Sequence, residues 1–554
     1  MTFPPPAPDR LGVVVAGSLV EGLTARLDAA SSVEDMRVGK FVRISGEKHD
    51  FFCLVTDVEL SASNAQIGEQ PPDPDDGFLR QILTGTATFG SISVQPMMMF
   101  DRSLLADGRV DVDSARAVKT VPVHFSAVQL ADEEDFKRVF GVEDQEHPSH
   151  FEIGRPLDMD VPVCLDLKQF VERSNGVFGK SGTGKSFLTR LLLAGVVRSK
   201  TAVNLIFDMH SEYGWSSQSE SGDRRLVKGL SQLFGSQVAV FTVDDGSTQR
   251  RELRPTPVRI GLDEIDVEDI VLLQDELKLN PTAVEHSHLL MDQFKDRWIS
   301  RLLAMDIDDI KQFCEDHGGN QNAMAALKRK LGEIQRLDFV DAHVEISAVD
   351  KIVQALEKGT HVVLEFGHHR GLLPYMLVAN VLTRRIHQKW VDKTEGYKAS
   401  QQASDEPRQL MITIEEAHRF LNSQAARQTI FGTIARELRK FYVTLLVVDQ
   451  RPSGIDDEVL SQIGTRVTCQ LNDERDIDAV LAGMRNRDQL RSVLSTLESR
   501  QQAMLVGHAV PMPVIIRTRL YDEAFYAAMT IPQWSAATTG RAGDEYERLF
   551  GSDG

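Results

Sequence analysis

Two rhythms of apolar and polar positions divide the chain. Up to about residue 125 the apolar runs are short and broken by Gly, Ser, Asn and Asp: LGVVVAG (11–17), KFVRISG (40–46), FFCLVTDVEL (51–60) and ATFGSISV (87–94). Such runs predict β-strands of a small barrel or sandwich. Farther on, TAVNLIFD (201–208), VAVFTVD (238–244), THVVLEF (360–366), QLMITIEE (409–416) and VTLLVVD (443–449) are almost continuously apolar or β-branched. Strands buried on both faces read this way, and helical patterns separate them, so a parallel sheet covered by helices follows.

The strand rhythm stops between about 262 and 350. There LDEIDVEDIVLLQDELKLN, HLLMDQFKDRWISRLLAM and ALKRKLGEIQRL predict a largely acidic helical insert. The expected division is therefore a β-barrel domain over 1–125, a linker over 126–160, a first core segment over 161–261, the insert over 262–350, a second core segment over 351–535, and a polar tail over 536–554. The fold class is α/β, with a small β-barrel at the N-terminus.

Composition narrows the function classes. With 554 residues the chain is too long for one ordinary core. A formal net charge of -19 argues against a uniformly basic nucleic-acid binder, though not against a ring with an acidic exterior and a basic lining. Cys53, Cys164, Cys314 and Cys469 show no metal-ligand spacing, and a reduced, cytoplasmic setting is expected. No apolar run reaches the roughly 18 to 20 residues that span a bilayer.

The chemistry centres on GKSGTGKSF, Gly179 to Phe187, directly after the apolar Val177 and Phe178. Gly179, Gly184, Lys185 and Ser186 satisfy G-x-x-x-x-G-K-[ST]. Glycines let backbone N–H groups of Lys180, Ser181, Gly182 and Thr183 turn towards phosphates, Lys185 reaches the β and γ phosphates, and Ser186 holds Mg²⁺. ATP and Mg²⁺ are the cofactors expected. Such a loop needs a second metal ligand and a group that orients water. Glu415 and Glu416, at the end of QLMITIEE, suit those roles; alternatively they cap the following helix. Asp208 and Glu212 in FDMHSEYGW, and Asp449, Gln450 and Arg451 in VVDQRPSG, mark two more strand ends at the same edge. Gln450 is either a γ-phosphate sensor or part of a turn fixed by Arg451 and Pro452. Arg439, then Arg436, in ARELRKF are candidates for neutralising transition-state charge, against the reading of a solvated basic face; Arg466 is a weaker third. His418, His286, His288, His368 and His369 are read as packed or solvated, since no ligand spacing completes a metal site.

Taken in order, FEIGRPLDMDVPVCLDLKQFV, the glycine loop, FDMHSEYG, IEEAHRF, ARELRKF, DQRPS and LVGHAVPMPVIIRTR make the chain resemble the HerA family, in the HerA and FtsK branch of RecA-like motor ATPases. The resemblance implies a HAS-barrel-like N-terminal domain, a RecA-like P-loop core with a helical insertion, and a homo-hexamer around duplex DNA. It implies ATP-site roles for Lys185, Ser186, Glu415, Glu416 and Gln450, with an arginine of ARELRKF acting across the subunit interface. It further implies a separate nuclease or anti-phage effector as partner, in DNA end processing or defence, or else a hexamer that chiefly scaffolds such an effector. Channel-lining candidates are Arg250, Arg251, Arg254, Lys328, Arg329 and Lys330, each equally readable as a solvated face. The chain departs from the family pattern at Asp449, where Ser is common, at Leu438, where Gly is often found, and in lacking a His just before the glycine loop.

Overall fold

The computed structural model describes residues 10–530 except 65, 66, 68–72, 74, 76, 84–86, 103–115, 145, 219–225, 245, 247–254, 370, 424, 425, 427–429, 485, 486, 496 and 499. Arg250, Arg251, Arg254 and the 536–554 tail thus lie outside the described residues.

Alternation of period two builds the N-terminal barrel. Leu23, Ala25 and Leu27, then Val42 and Ile44, Phe51, Cys53 and Val55, and Ile92 and Val94 all point into one buried core. Strands Arg10–Ser18, Gly22–Leu27, Thr88–Asp101, His49–Ala62, Phe41–Ser45 and Ala127–Leu130 pair in that order, and Ala127–Leu130 closes the circle on Arg10–Ser18. The far end of Thr88–Asp101 runs past the closed part and pairs with the short strand Arg116–Ala117. The barrel extends past the expected edge at residue 125.

The opposite face of its strands is apolar too, and helix Glu133–Phe140 covers it. Phe41 stacks on Phe52 at 5.2 Å and meets Phe136 edge-on at 5.3 Å. Asp132 caps this helix by accepting from the Asp135 N–H at 2.8 Å. The 126–160 stretch, expected as a linker, therefore contributes a barrel strand, this helix and the strand His150–Arg155 of the large sheet. Its acidic loops hid an apolar face, carried by Phe136, Val139 and Phe140.

The large sheet has twelve strands. In spatial order they are Thr256–Pro257, Val238–Thr242, His361–Glu365, Val203–Asp208, Leu410–Glu415, Val443–Asp449, Ser174–Phe178, Ile463–Thr468, Gln502–Gly507, Val514–Thr518, His150–Arg155 and Val163–Asp166. The first eight run parallel, and the remaining four extend the sheet antiparallel. All five continuous apolar runs are strands here. Their carboxyl ends share one edge, where open α/β sheets bind ligands.

Helices Val267–Leu272, Gln274–Leu277, Pro281–Phe294, Trp298–Ala304, Ile307–His317 and Gln321–Gln335 form the insert. Its two ends meet where Ile260–Gly261 pairs with Val340–Asp341. Helix Ala348–Lys358 leads back into the sheet, and the 29-residue helix Leu372–Ser400 follows the next strand. Among the described residues, no helix is long and apolar enough to cross a membrane.

Candidate nucleotide site

Strand Ser174–Phe178 is wholly buried and ends at the glycine loop, after which helix Lys185–Ser199 begins. Neighbouring strand ends fix the base of the loop. The Gly179 N–H donates to the Asp449 carbonyl at 3.3 Å, and the Lys180 N–H to the Gln470 carbonyl at 3.0 Å. A Cβ at Gly179 would lie 2.7 Å from Cys469 Cβ, which accounts for the glycine. Gly184 starts the helix at φ 94°, and no side chain caps the helix there. Uncapped N–H groups at a helix start favour an anion. Inside the loop the Lys180 carbonyl accepts from Thr183 Oγ1 at 2.8 Å and Lys185 Nζ at 3.0 Å.

Beside the loop lies a cavity of about 340 Å³, walled by Ser181, Gly182, Lys185 and Ser186 on one side and by His210, Glu212, Glu415, Glu416, Asp449 and Gln450 on the other. Four of the predicted groups, Lys185, Glu415, Glu416 and Gln450, thus converge with Ser186 in one space. Lys180, Thr183 and Gly179 shape the loop from behind; Lys180 Nζ reaches Asn472 Oδ1 at 3.3 Å. Phe187 does not line the cavity, and its ring sits 5.4 Å from the Arg190 guanidinium.

The acidic wall is built from buried carboxylates. Glu415 Oε1 accepts from the Tyr213 hydroxyl at 2.8 Å, while Glu415 Oε2 is buried with no hydrogen-bond partner. Glu212 Oε2 is likewise buried and unpartnered. Burial pushes the Glu415 carboxyl well above its usual range, and the nearby Asp208 and Glu212 charges add to this. Asp208 takes three backbone N–H groups, from Glu212 at 2.9 Å, Tyr213 at 2.8 Å and Gly214 at 3.4 Å, and so folds the 208–214 turn against the site. Orphaned buried carboxylate oxygens are costly, and a cation removes that cost.

Glu416 stands apart. It is a non-glycine residue in the left-handed region, at φ 49°, ψ 42°, which re-aims its side chain where the strand ends. Its Oε1 accepts from Gln450 Nε2 at 2.9 Å. Asp449 accepts from the His418 N–H at 2.6 Å and the Arg451 N–H at 2.7 Å, and contacts His418 Nδ1 at 3.0 Å. This bond raises the imidazole above its ordinary pKa. His418 Nδ1 also lies 3.7 Å from Glu416 Oε2, so His418, read from sequence as a bystander, belongs to the site. The unusual Asp449 is its anchor. Tyr213 was not legible beforehand, because only the 208–214 turn carries it to Glu415.

The arginine candidates fare differently. Arg436 Nη2 donates to the Ala426 carbonyl at 3.1 Å, and Arg439 is exposed before the strand Val443–Asp449; neither lines this chain's cavity. Arg466, the third candidate for neutralising transition-state charge, does not line this chain's cavity either. Its strand is buried on both faces, and its guanidinium donates to the carbonyls of Val480 at 2.6 Å, Ala482 at 2.9 Å and Leu460 at 3.0 Å. Burial lowers its pKa to about 10.

Comparison with known proteins agrees with this architecture. The family model for the central domain of helicase HerA matches residues 151–386, and that for the HAS barrel domain matches residues 11–111. The DNA double-strand break repair helicase HerA of Pyrococcus furiosus is 23% identical over 407 residues, covering 66% of this chain and 69% of that protein. Its namesake from Sulfolobus acidocaldarius is 25% identical over 415 residues, covering 72% and 74%. Among solved structures, the bacterial conjugative coupling protein TrwBdeltaN70 is 13% identical with a TM-score of 0.45, over 70% of this chain and 92% of that one. With a HAS barrel, a HerA central domain and an intact P-loop edge in one chain, this protein belongs to the HerA family of P-loop ATPases.

Proposed function

We propose that the protein is an ATP-driven DNA translocase of the HerA type, working as a homo-hexamer around duplex DNA. One observation carries the reading: Lys185 and Ser186 face Glu415, Glu416 and Gln450 across a single cavity. The residues fit MgATP. The glycine loop and uncapped helix start present N–H groups to phosphates, Lys185 adds a mobile cation, and Ser186 with the orphaned Glu415 oxygen offers metal ligands. Mg²⁺ on the triphosphate supplies charge neutralisation when bound.

Glu416 is the group that orients and deprotonates water, held in the left-handed conformation for that task. Gln450 fixes one of its oxygens and senses the γ-phosphate position. His418, anchored on Asp449, steadies the other oxygen. Arg439, with Arg436 as second candidate, acts in the site of the neighbouring subunit, in keeping with its exposure on this chain. DNA contacts of a translocase are largely to phosphates, hence salt-sensitive. Of the described channel candidates, Lys328 donates to the Met305 carbonyl and Lys330 pairs with Glu333, which leaves Arg329 as the stronger contributor.

A second reading makes the hexamer a scaffold whose ATP binding activates a nuclease or defence effector. It is favoured by exposed apolar side chains on barrel loops, Val20 and Phe125 above all. Steady-state ATP hydrolysis with and without duplex DNA separates the two. We expect strong stimulation by DNA, and loss on the order of 100- to 1,000-fold in Lys185→Ala and Glu416→Gln. Turnover indifferent to DNA but raised by a co-purifying protein would replace the translocase with the scaffold.

A further inference from the structure

The carboxyl edge of the large sheet carries a second polar cluster, separated from the glycine loop by three intervening strands and apart from its cavity. His368 and His369 follow the strand His361–Glu365, Asp244 follows Val238–Thr242, and Asp338 sits at the exit of the helical insert. His369 Nε2 lies 2.8 Å from Asp338 Oδ1, and His368 Nε2 lies 3.5 Å from Asp338 Oδ2. One ligand atom from each of the three residues falls within 4.8 Å of the others.

We infer that Asp338, His368 and His369 bind one divalent transition-metal ion of the zinc class, which pins the neck of the insert to the sheet edge.

Four features support this. Metal–ligand bonds of about 2.0 to 2.2 Å place neighbouring ligand atoms roughly 3 to 3.5 Å apart, close to the spacings found. The His369 side chain is only 10% exposed, and its Nε2 is aimed at the Asp338 carboxylate without a well-aligned hydrogen bond to it. His368 Nδ1 sits 3.0 Å from Asp244 Oδ1, the carboxylate–imidazole arrangement that leaves Nε2 as the metal-binding nitrogen. Asp244 is itself fixed, accepting from the Gly246 N–H at 2.8 Å and the His368 N–H at 3.2 Å.

The rings are also held in place. His369 packs edge-on against Phe339 at 5.1 Å and lies 3.9 Å from His368. Two imidazoles select a borderline metal over Mg²⁺ or Ca²⁺. Asp338 and His368 are more than half exposed, so water can complete the coordination. Asp338 lies two residues before the Val340–Asp341 pairing that closes the insert, and Arg259 donates to its carbonyl. An ion there joins two segments about 30 residues apart, and through the Asp244 contact of His368 it engages a third.

The test uses untagged, EDTA-treated full-length protein titrated with Co²⁺ in excess Mg²⁺. We expect visible ligand-field absorption that saturates near one Co²⁺ per chain. It should vanish in His369→Gln and Asp338→Asn, and weaken about 10- to 100-fold in Asp244→Asn. X-ray absorption of the Zn²⁺-loaded wild-type protein, which does not depend on variants folding, should count two imidazole ligands. An all-oxygen shell, no saturable Co²⁺ binding, or binding unchanged by His369→Gln and Asp338→Asn would overturn the site.

Discussion

Two buried acids of this molecule are treated in opposite ways. Asp269, at the base of the insert, receives Arg384 Nε at 3.1 Å and Nη2 at 2.7 Å, and the Asp266 N–H at 2.9 Å. Arg384 in turn donates to the Glu264 carbonyl at 2.9 Å, so the clamp ties the insert to the long helix Leu372–Ser400. Glu415, at the sheet edge, has only the Tyr213 hydroxyl, with one oxygen left bare. Burial raises both carboxyls, but the Arg384 charge pulls against the rise at Asp269, whereas at Glu415 the neighbouring acids Asp208 and Glu212 add to it. A paired buried acid holds the fold together. An unpaired one costs stability until a ligand arrives, and it marks the place where the ligand belongs.

Breaking the paired acid gives the largest expected change in stability. Asp269→Ala strands Arg384 in a half-buried position and should cost roughly 3 to 5 kcal/mol in urea unfolding. Replacing both partners, Asp269→Leu with Arg384→Met, should recover most of that loss, because a matched apolar pair leaves no charge unpaired. Equal losses in the single and double variants would mean that the clamp works through packing rather than charge.

Removing the unpaired acid should do the reverse. Because the folded pKa of Glu415 is raised, its contribution to stability is intact below about pH 4.5 and is lost as pH rises through the folded value. Glu415→Gln abolishes that loss. The nucleotide-free variant should therefore melt above the wild type by a margin that grows from pH 5 to pH 8, while Mg²⁺-dependent ATP hydrolysis collapses. Thermal unfolding across that range checks the sign; a lower melting temperature for the variant at pH 8 would show that Glu415 is already compensated without a cation.

What was legible in the sequence follows from where each signal lies along the chain. The glycine loop and Glu415–Glu416 are local patterns, readable because a strand and its terminal side chains are contiguous. Barrel strands were readable for the same reason, through alternation at Leu23, Ala25 and Leu27. Sites assembled by topology were not. Tyr213 reaches Glu415 across 202 residues, and His368 meets Asp244 across 124. The pair His368–His369 looked inert because its carboxylates come from the end of another strand and from the exit of the insert. Arg466 misled in the opposite direction: it stood as a third candidate for neutralising transition-state charge, but its strand is buried and three carbonyls hold its two terminal nitrogens. Nor did helix Leu372–Ser400 stand out, since its first half is buried around most of its circumference and lacks a polar stripe.

Asp449 is the intermediate case, and it gives the smallest effect. Its side chain is wholly buried, like that of Asp269, but its partner His418 titrates where arginine does not. The His418 pKa is raised in the fold, so the pair's contribution is complete below about pH 6.5 and fades as pH climbs through the raised value. Wild-type protein should thus lose about 0.5 to 1 kcal/mol across that window, and His418→Gln should not. Urea midpoints at pH 6, 7 and 8 measure the difference. Since His418 also approaches Glu416, the same proton should appear in the pH profile of ATP hydrolysis, shifting its alkaline limb in the wild type and not in the variant. A variant with an unchanged profile and a flattened stability slope would place His418 in the fold alone, on the side of Asp269. A change in both would make Asp449 and His418 the link between the paired acids that hold the sheet and the unpaired ones that do its chemistry.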